Sequence, residues 1–336
     1  MQLSVPWIRT VKAAPCGNCS LRVPLLWAGR PKAGVLMSRS MQPAPRADVT
    51  LRNMSVLSMN VENCSRLTIA APDGARIPVL VAGSSSPLVI LIHGWACRAD
   101  FWSAQIGPLS QHARVAAPDL PGHGSADPRR PSGIWSIEGF GADILAVADA
   151  LGTDEVVLVG HSMGGAVAIE AARLLGSRCR LLVGVDTFTE AMFYARRPED
   201  EFANRISGFR GDFPGRMRGM IDAITGGDAD PKLKAMIAEG MAASDPEAAL
   251  GVLEALLRWD IAAVWPLPGI PAVAINSAML ARRNELLTLD NLEIILMEGP
   301  GHFPMMEAPA AFNALLLEVL GVPPSGRADL EGRPSP

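Results

Sequence analysis

The chain has 336 residues, 49% of them hydrophobic, enough for one large domain with an insertion and tails. Its net charge of −4, with Lys and Arg scattered, excludes the basic footprint of a nucleic-acid binder and a polybasic membrane-surface patch. Five cysteines, an odd number, exclude a disulfide framework, and no apolar run approaches the ~18 residues of a membrane span.

Residues 1–64 are interrupted by Pro, Gly and polar residues and hold no period of 2 or 3.6, so an irregular or disordered segment is expected. Within it, Cys16-Gly17-Asn18-Cys19 is a lone CxxC without the second pair a zinc site needs. Met54 or Met59 is an alternative start. No continuous apolar segment of signal-peptide length is visible, which leads to the expectation of a cytoplasmic protein.

From Arg66 onward the pattern sharpens. Leu67–Ala70 and Ile77–Val81 flank Pro72-Asp73-Gly74 as a hairpin. Strands are expected at Leu88–Ile92, Val115–Ala117, Glu155–Val159, Leu181–Val185, Ala272–Asn276 and Leu292–Met297. Helical spacing marks Ile137–Leu151, Gly164–Leu175 and Ala308–Leu320. Strands apolar throughout, alternating with amphipathic helices, predict an α/β fold with a mostly parallel sheet covered on both faces. Its core is expected over 65–187 and 269–321. Residues 188–268 break the alternation and read as a helical cap, with helix starts at Asp230-Pro231 and Ser244-Asp245-Pro246-Glu247. The Pro- and Gly-rich residues 322–336 read as a flexible tail.

In such sheets ligands bind beyond the carboxyl ends of the strands. Four strands end there on His93-Gly94, Asp119, Ser162 and Asp186. Around Ser162 the sequence reads VVLVGHSMGGAVAIE, a strand turning at once into a helix. Such a bend forces the joining residue to positive φ and crowds the residues at −2 and +2, which here are Gly160 and Gly164. The bend also aims the unpaired N–H groups of a helix start at whatever the serine attacks.

Gly160–Gly165 (GHSMGG), His93–Trp95 (HGW), Asp119–Ala126 (DLPGHGSA) and Gly299–Pro309 (GPGHFPMMEAP) follow the order of motifs in α/β-hydrolases, and residues 66–321 resemble that superfamily. The resemblance implies a nucleophile elbow with Ser162 as nucleophile. Of the five histidines, His302 follows the last strand, where α/β-hydrolases carry the catalytic base. The orienting acid commonly follows the strand expected at Ala272–Asn276, but AINSAMLARRNE offers no acid before Glu285. A smaller group of relatives, haloalkane dehalogenases among them, carries it one strand earlier, which corresponds to Asp186. Asp186, Glu285 and an acid-free dyad therefore stand as alternatives. The resemblance also implies an oxyanion hole made by the backbone N–H groups of Trp95 and Met163.

A serine hydrolase acting on an ester or related acyl bond of a small, partly apolar molecule is expected, without cofactor or metal. Trp95, Phe188, Phe193 and Phe303 are candidate pocket residues. A carbon–carbon bond hydrolase, an enol-lactonase or a haloperoxidase-like perhydrolase would use the same triad. A small-molecule receptor with vestigial hydrolysis is a reading from another class. Dehalogenase and epoxide hydrolase chemistry needs a carboxylate at the bend, where this chain has Ser162.

Overall fold

The computed structural model describes residues 8–12, 64–196 and 198–322. Nine strands are present in it: β1 (Ile8–Lys12), β2 (Ser65–Ala70), β3 (Arg76–Ala82), β4 (Leu88–Ile92), β5 (Arg114–Pro118), β6 (Val156–His161), β7 (Cys179–Val185), β8 (Ala272–Ser277) and β9 (Leu292–Glu298). They form one sheet in the order β1-β9-β8-β7-β6-β4-β5-β3-β2. All neighbours from β1 to β5 along that order are parallel, and β3 runs antiparallel to both of its neighbours, β5 and β2. Every residue of β4 and β6 is buried, as their unbroken apolar runs require of strands covered on both faces.

Helices α1 (Ser103–Ser110), α2 (Ile137–Leu151) and α3 (Met163–Leu175) follow β4, β5 and β6. Helix α2 starts and stops where its sequence says. Ser136 accepts from the Gly139 N–H, and Gly152 closes the helix at φ 64°. Between β7 and β8 lie α4 (Ala191–Tyr194), α5 (Glu199–Arg210), α6 (Phe213–Ile224), α7 (Pro231–Ala242) and α8 (Pro246–Arg258). Three of them open on an aspartate cap followed by proline: Asp212, Asp230 and Asp245. The expected start near Ser244 is therefore capped by Asp245, and the Ser244 hydroxyl instead donates to Ala96 O beyond β4. The chain closes with α9 (Ala278–Ala281), α10 (Pro304–Glu307) and α11 (Pro309–Val319).

The five helices after β7 rest on loops at the carboxyl ends of the strands. The Trp95 indole N–H donates to Ala249 O in α8 at 2.7 Å, and the His302 N–H donates to Ile224 O at the end of α6 at 2.7 Å. Their buried faces, including Met217, Ile221, Leu253 and Leu256, join the same apolar core as the sheet. Met217 and Met241 are buried there, whereas Met236 is exposed.

One expectation needs correction. Within the segment expected to be irregular, Ile8–Lys12 forms a strand paired in parallel with β9, from Ile8 beside Ile294 to Lys12 beside Glu298. Arg9 ties it down through Glu293 and Glu318. The rest of that segment, with the Cys16–Cys19 motif, and residues 323–336 lie outside the described residues.

Partly exposed ion pairs contribute ~0–1 kcal/mol each, and β1 is an edge strand. It is also four strands from β6, about 19 Å at ~4.8 Å per strand. Truncation of residues 1–12 should lower the melting temperature by only a few degrees and leave the region around β6 unperturbed, as thermal unfolding and near-ultraviolet circular dichroism would measure.

Candidate active site

Ser162 sits between β6 and α3 at φ 52° and ψ −122°, a conformation that costs on the order of 1–3 kcal/mol and persists only where the surroundings impose it. Two glycines permit it. A Cβ on Gly160 would come within 2.2 Å of Gly164 O, as the sequence pattern predicts. A Cβ on Gly164 would strike a different neighbour, the carbonyl oxygens of Ile92 and His93 at the end of β4, at 2.4 and 2.6 Å. The bend is thus wedged against the adjacent strand as well as against itself.

Asp186 ends β7 at φ 47° and is 1% exposed. Its Oδ1 accepts from the Ser277 N–H at 2.7 Å, and its Oδ2 lies 2.5 Å from His302 Nδ1. Nδ1 is thereby occupied, and Nε2 is the nitrogen left to exchange protons. Burial pulls the His302 imidazole down, but the hydrogen bond and charge of Asp186, with Glu190 and Glu307, outweigh it and hold the ring above its ordinary 6.5. Glu285, the alternative acid, is exposed on the segment before β9, and its carbonyl accepts from Ala191 N.

The residue before the serine secures the histidine. His161 Nε2–H donates to His302 O at 2.8 Å, and the two rings lie 4.8 Å apart. Burial and the neighbouring His302 push His161 well below its ordinary pKa, so it is a neutral donor. Met163 is the first residue of α3, so its N–H has no acceptor within the helix. Among the described residues, the Trp95 main-chain N–H has no hydrogen-bond acceptor either. His93 links the two neighbouring loops: its Nδ1–H donates to Gly94 O at 2.8 Å, and its Nε2 accepts from the Leu120 N–H at 3.1 Å. Among the described residues no three His, Cys, Asp or Glu side chains gather as a metal site requires.

This arrangement puts a carboxylate-backed imidazole on a loop bonded to the neighbour of a strained serine. A family model, described as the alpha/beta hydrolase family, matches residues 89–315, the stretch that carries all of these groups.

The chain belongs to the alpha/beta hydrolase family.

As an alpha/beta hydrolase it is 38% identical over 109 residues to 2-hydroxy-6-oxo-2,4-heptadienoate hydrolase of Pseudomonas putida, which covers 30% of this chain and 37% of that one. The chain spans between 26% and 37% of the length of that protein and of other curated relatives it matches over about 100 residues. In structure it is similar to an esterase from Thermogutta terrifontis (TM-score 0.64, 24% identity, 77% of this chain and 98% of that one). It is also similar to a bromoperoxidase from Bacillus anthracis (TM-score 0.65, 21% identity, 76% and 100%). At these identities the structural likeness concerns the fold. No helix among the described residues is long and apolar enough to cross a membrane.

The aromatic pocket residues expected from this alpha/beta hydrolase's sequence divide. Phe188 is fully buried, packed over Gly184 and against Trp265, so it is core and lines nothing. Phe303 is also fully buried; its ring backs His161 and His302 at 5.0 and 5.2 Å. Trp95 is buried edgewise against Phe209 and Phe213 of the helical insertion. Phe193 alone is half-exposed, beneath Arg205. A groove of about 670 Å³ between Arg66, Arg98, His123 and Ser244 is not lined by Ser162, Asp186 or His302.

Sequence reasoning missed three residues. Glu190, buried before α4, is pushed up to about 8 by burial and by the charge of Asp186. Tyr194 lies at the other end of the same short helix. Glu307 organises the histidine loop. Its Oε2 accepts from the N–H groups of Gly226 and Gly301, and its Oε1 from that of Phe303. Gly301 completes the clamp, since a Cβ there would lie 2.1 Å from Ile224 O. Only the spacing of Glu307 five residues after His302 hinted at a link.

Replacing Glu307 by Ala would strand three N–H donors, each buried unpaired group costing ~1–3 kcal/mol. Glu307→Ala is expected to lose several kcal/mol of stability in urea unfolding, with Glu307→Gln losing less because one oxygen acceptor remains.

Proposed function

We propose that this alpha/beta hydrolase is a serine hydrolase that cleaves an ester or related acyl bond of a small, partly apolar substrate through an acyl-enzyme. The observation that carries the reading is the contact of Asp186 with His302 Nδ1, on a loop bonded to the neighbour of a positive-φ serine. In this reading Ser162 Oγ attacks the carbonyl carbon while its proton passes to His302 Nε2. Asp186 holds the ring in the Nδ1–H tautomer. The Trp95 and Met163 N–H groups stabilise the oxyanion, each such donor being worth about 3 kcal/mol. The proton on His302 then goes to the leaving group, and water repeats the sequence to release the acid. Helices α4 to α8 serve as the cap, and Phe193 is the aromatic group available to an apolar substituent.

Glu285 has no part in this mechanism. The alternative chemistries of the same triad, from carbon–carbon bond hydrolysis to perhydrolysis, have no residue in this site that favours them over ester cleavage.

A fluorophosphonate should label Ser162 and nothing else, as peptide mass spectrometry would detect; labelling elsewhere, or none, contradicts the reading. Asp186→Asn should keep the fold and lower kcat by about 10⁴-fold, because the ring adopts the wrong tautomer. His302 must be neutral to act as base, and its pKa is raised. The rate should therefore climb with pH through an apparent pKa above 6.5, with the alkaline plateau reached only beyond it. A kcat/KM profile already flat below pH 6.5 would contradict that assignment.

A further inference from the structure

Thr187 follows Asp186 just beyond β7 and is fully buried. Its Oγ1 lies 2.8 Å from Ser162 O and 2.8 Å from Tyr194 Oη. A carbonyl can only accept, so the Thr187 hydroxyl donates to Ser162 O, and the Tyr194 hydroxyl donates to Thr187 Oγ1. On the other side of the acid, Val185 O accepts from the Ser162 N–H at 3.0 Å. Ser162 is therefore bonded both to the residue before Asp186 and to the residue after it. The two residues so joined are both strained, Ser162 at φ 52° and Asp186 at φ 47°. Such conformations persist only where the surroundings impose them.

Thr187 is itself held from a third strand. Asn276, in β8 and 2% exposed, accepts from the Thr187 N–H through Oδ1 at 3.1 Å. Its Nδ2 donates to Thr187 O at 3.1 Å and to Thr189 Oγ1 at 3.0 Å. One amide thus takes both main-chain groups of Thr187. The hydroxyl has little room to retreat, since a Cβ on Gly165 would come within 2.4 Å of Thr187 Oγ1. Ser162 O also accepts from the Gly165 N–H at 2.8 Å, but that bond ties the serine only to its own helix, α3. The Thr187 bond is the one that fixes the serine carbonyl to the segment carrying the acid.

We propose that Thr187 is a positioning residue whose hydroxyl, by holding the Ser162 carbonyl, sets the strained serine at a fixed place relative to the Asp186–His302 pair. The proposal rests on the serine-hydrolase reading above. Thr187 touches no reacting atom and moves no proton. It acts through the main chain of Ser162, on how often Oγ stands in attacking geometry against His302 Nε2. Without the hydroxyl the carbonyl keeps its bond to Gly165, so α3 remains, but the bend is freer to relax away from the acid.

The test uses the full chain with p-nitrophenyl acetate and a fluorophosphonate. Thr187→Val keeps the shape of the side chain and removes the hydroxyl. It should lower kcat/KM and the second-order rate constant of Ser162 phosphonylation by the same factor, about tenfold. Thr187→Ser restores the hydroxyl and should recover both to within about threefold of the wild type. The apparent pKa of the kcat/KM profile should not move in Thr187→Val, because Asn276 still holds the main chain and Asp186 keeps its contact with the imidazole. A lowered pKa would place the loss at Asp186 and overturn the proposal. Thr187→Val also leaves the Tyr194 hydroxyl without its acceptor. Made in a Tyr194→Phe background it removes both groups together, and this double variant decides the question where the single one does not fold. Against Tyr194→Phe it should show the same loss of about tenfold. Rates within twofold of Tyr194→Phe, or a loss that Thr187→Ser does not recover, would overturn the proposal. Ser162→Ala separates the two claims. If it retains full activity, the hydrolase reading fails and the proposal with it; if it is inactive while the double variant matches Tyr194→Phe, only the role of Thr187 fails.

Discussion

Asp186 Oδ2 and His302 Nδ1 meet at 2.5 Å where the carboxylate has almost no contact with solvent. A carboxylate in that position must be paired, because an isolated buried charge costs far more than the fold can supply. The Ser277 N–H takes one oxygen and the imidazole takes the other. Everything else in the site follows from satisfying that charge. The ring's orientation, its raised proton affinity and the nitrogen left for chemistry are all set by it.

The second constraint is mechanical. The loop carrying His302 is not held by its own strand alone. Its N–H donates to Ile224 O, its carbonyl accepts from His161, and Glu307 gathers three backbone donors around it. Ile224 and Gly226 belong to the helical insertion, so the insertion and the histidine loop share one hydrogen-bonded network. Ser277 Oγ adds a bond to Pro300 O from the end of β8. Movement of the helices would therefore be felt at the imidazole.

Much of this was legible in the sequence because local rules decided it. The run LVILI can only be a strand buried on both faces, and it occupies Leu88–Ile92 as expected. Ser136 and Gly152 bracket α2. The absence of an acid in AINSAMLARRNE before Glu285 pointed back to Asp186, where the carboxylate meets the ring. What escaped was decided by partners far away in the chain. IRTVK has no alternation that separates it from a loop, and it becomes a strand only because β9 offers an edge some 280 residues later. The crowding at Gly164 comes from carbonyls of β4. Phe188 and Phe303 lie within two residues of Asp186 and His302 in sequence, yet adjacency says nothing of where a ring points, and both are packed away from solvent. Glu307 serves main-chain groups of two other segments, which no side-chain pattern encodes.

The central claim is that the buried carboxylate fixes the imidazole as the Nδ1–H tautomer, leaving Nε2 to work with the serine. Nitrogen-15 spectra of histidine-labelled protein, recorded above the His302 pKa, read that tautomer directly. The account predicts a protonated Nδ1 and a bare Nε2 for His302, with the pattern reversed in Asp186→Asn. A wild-type ring carrying its proton on Nε2, or a tautomer unchanged by the substitution, would contradict it.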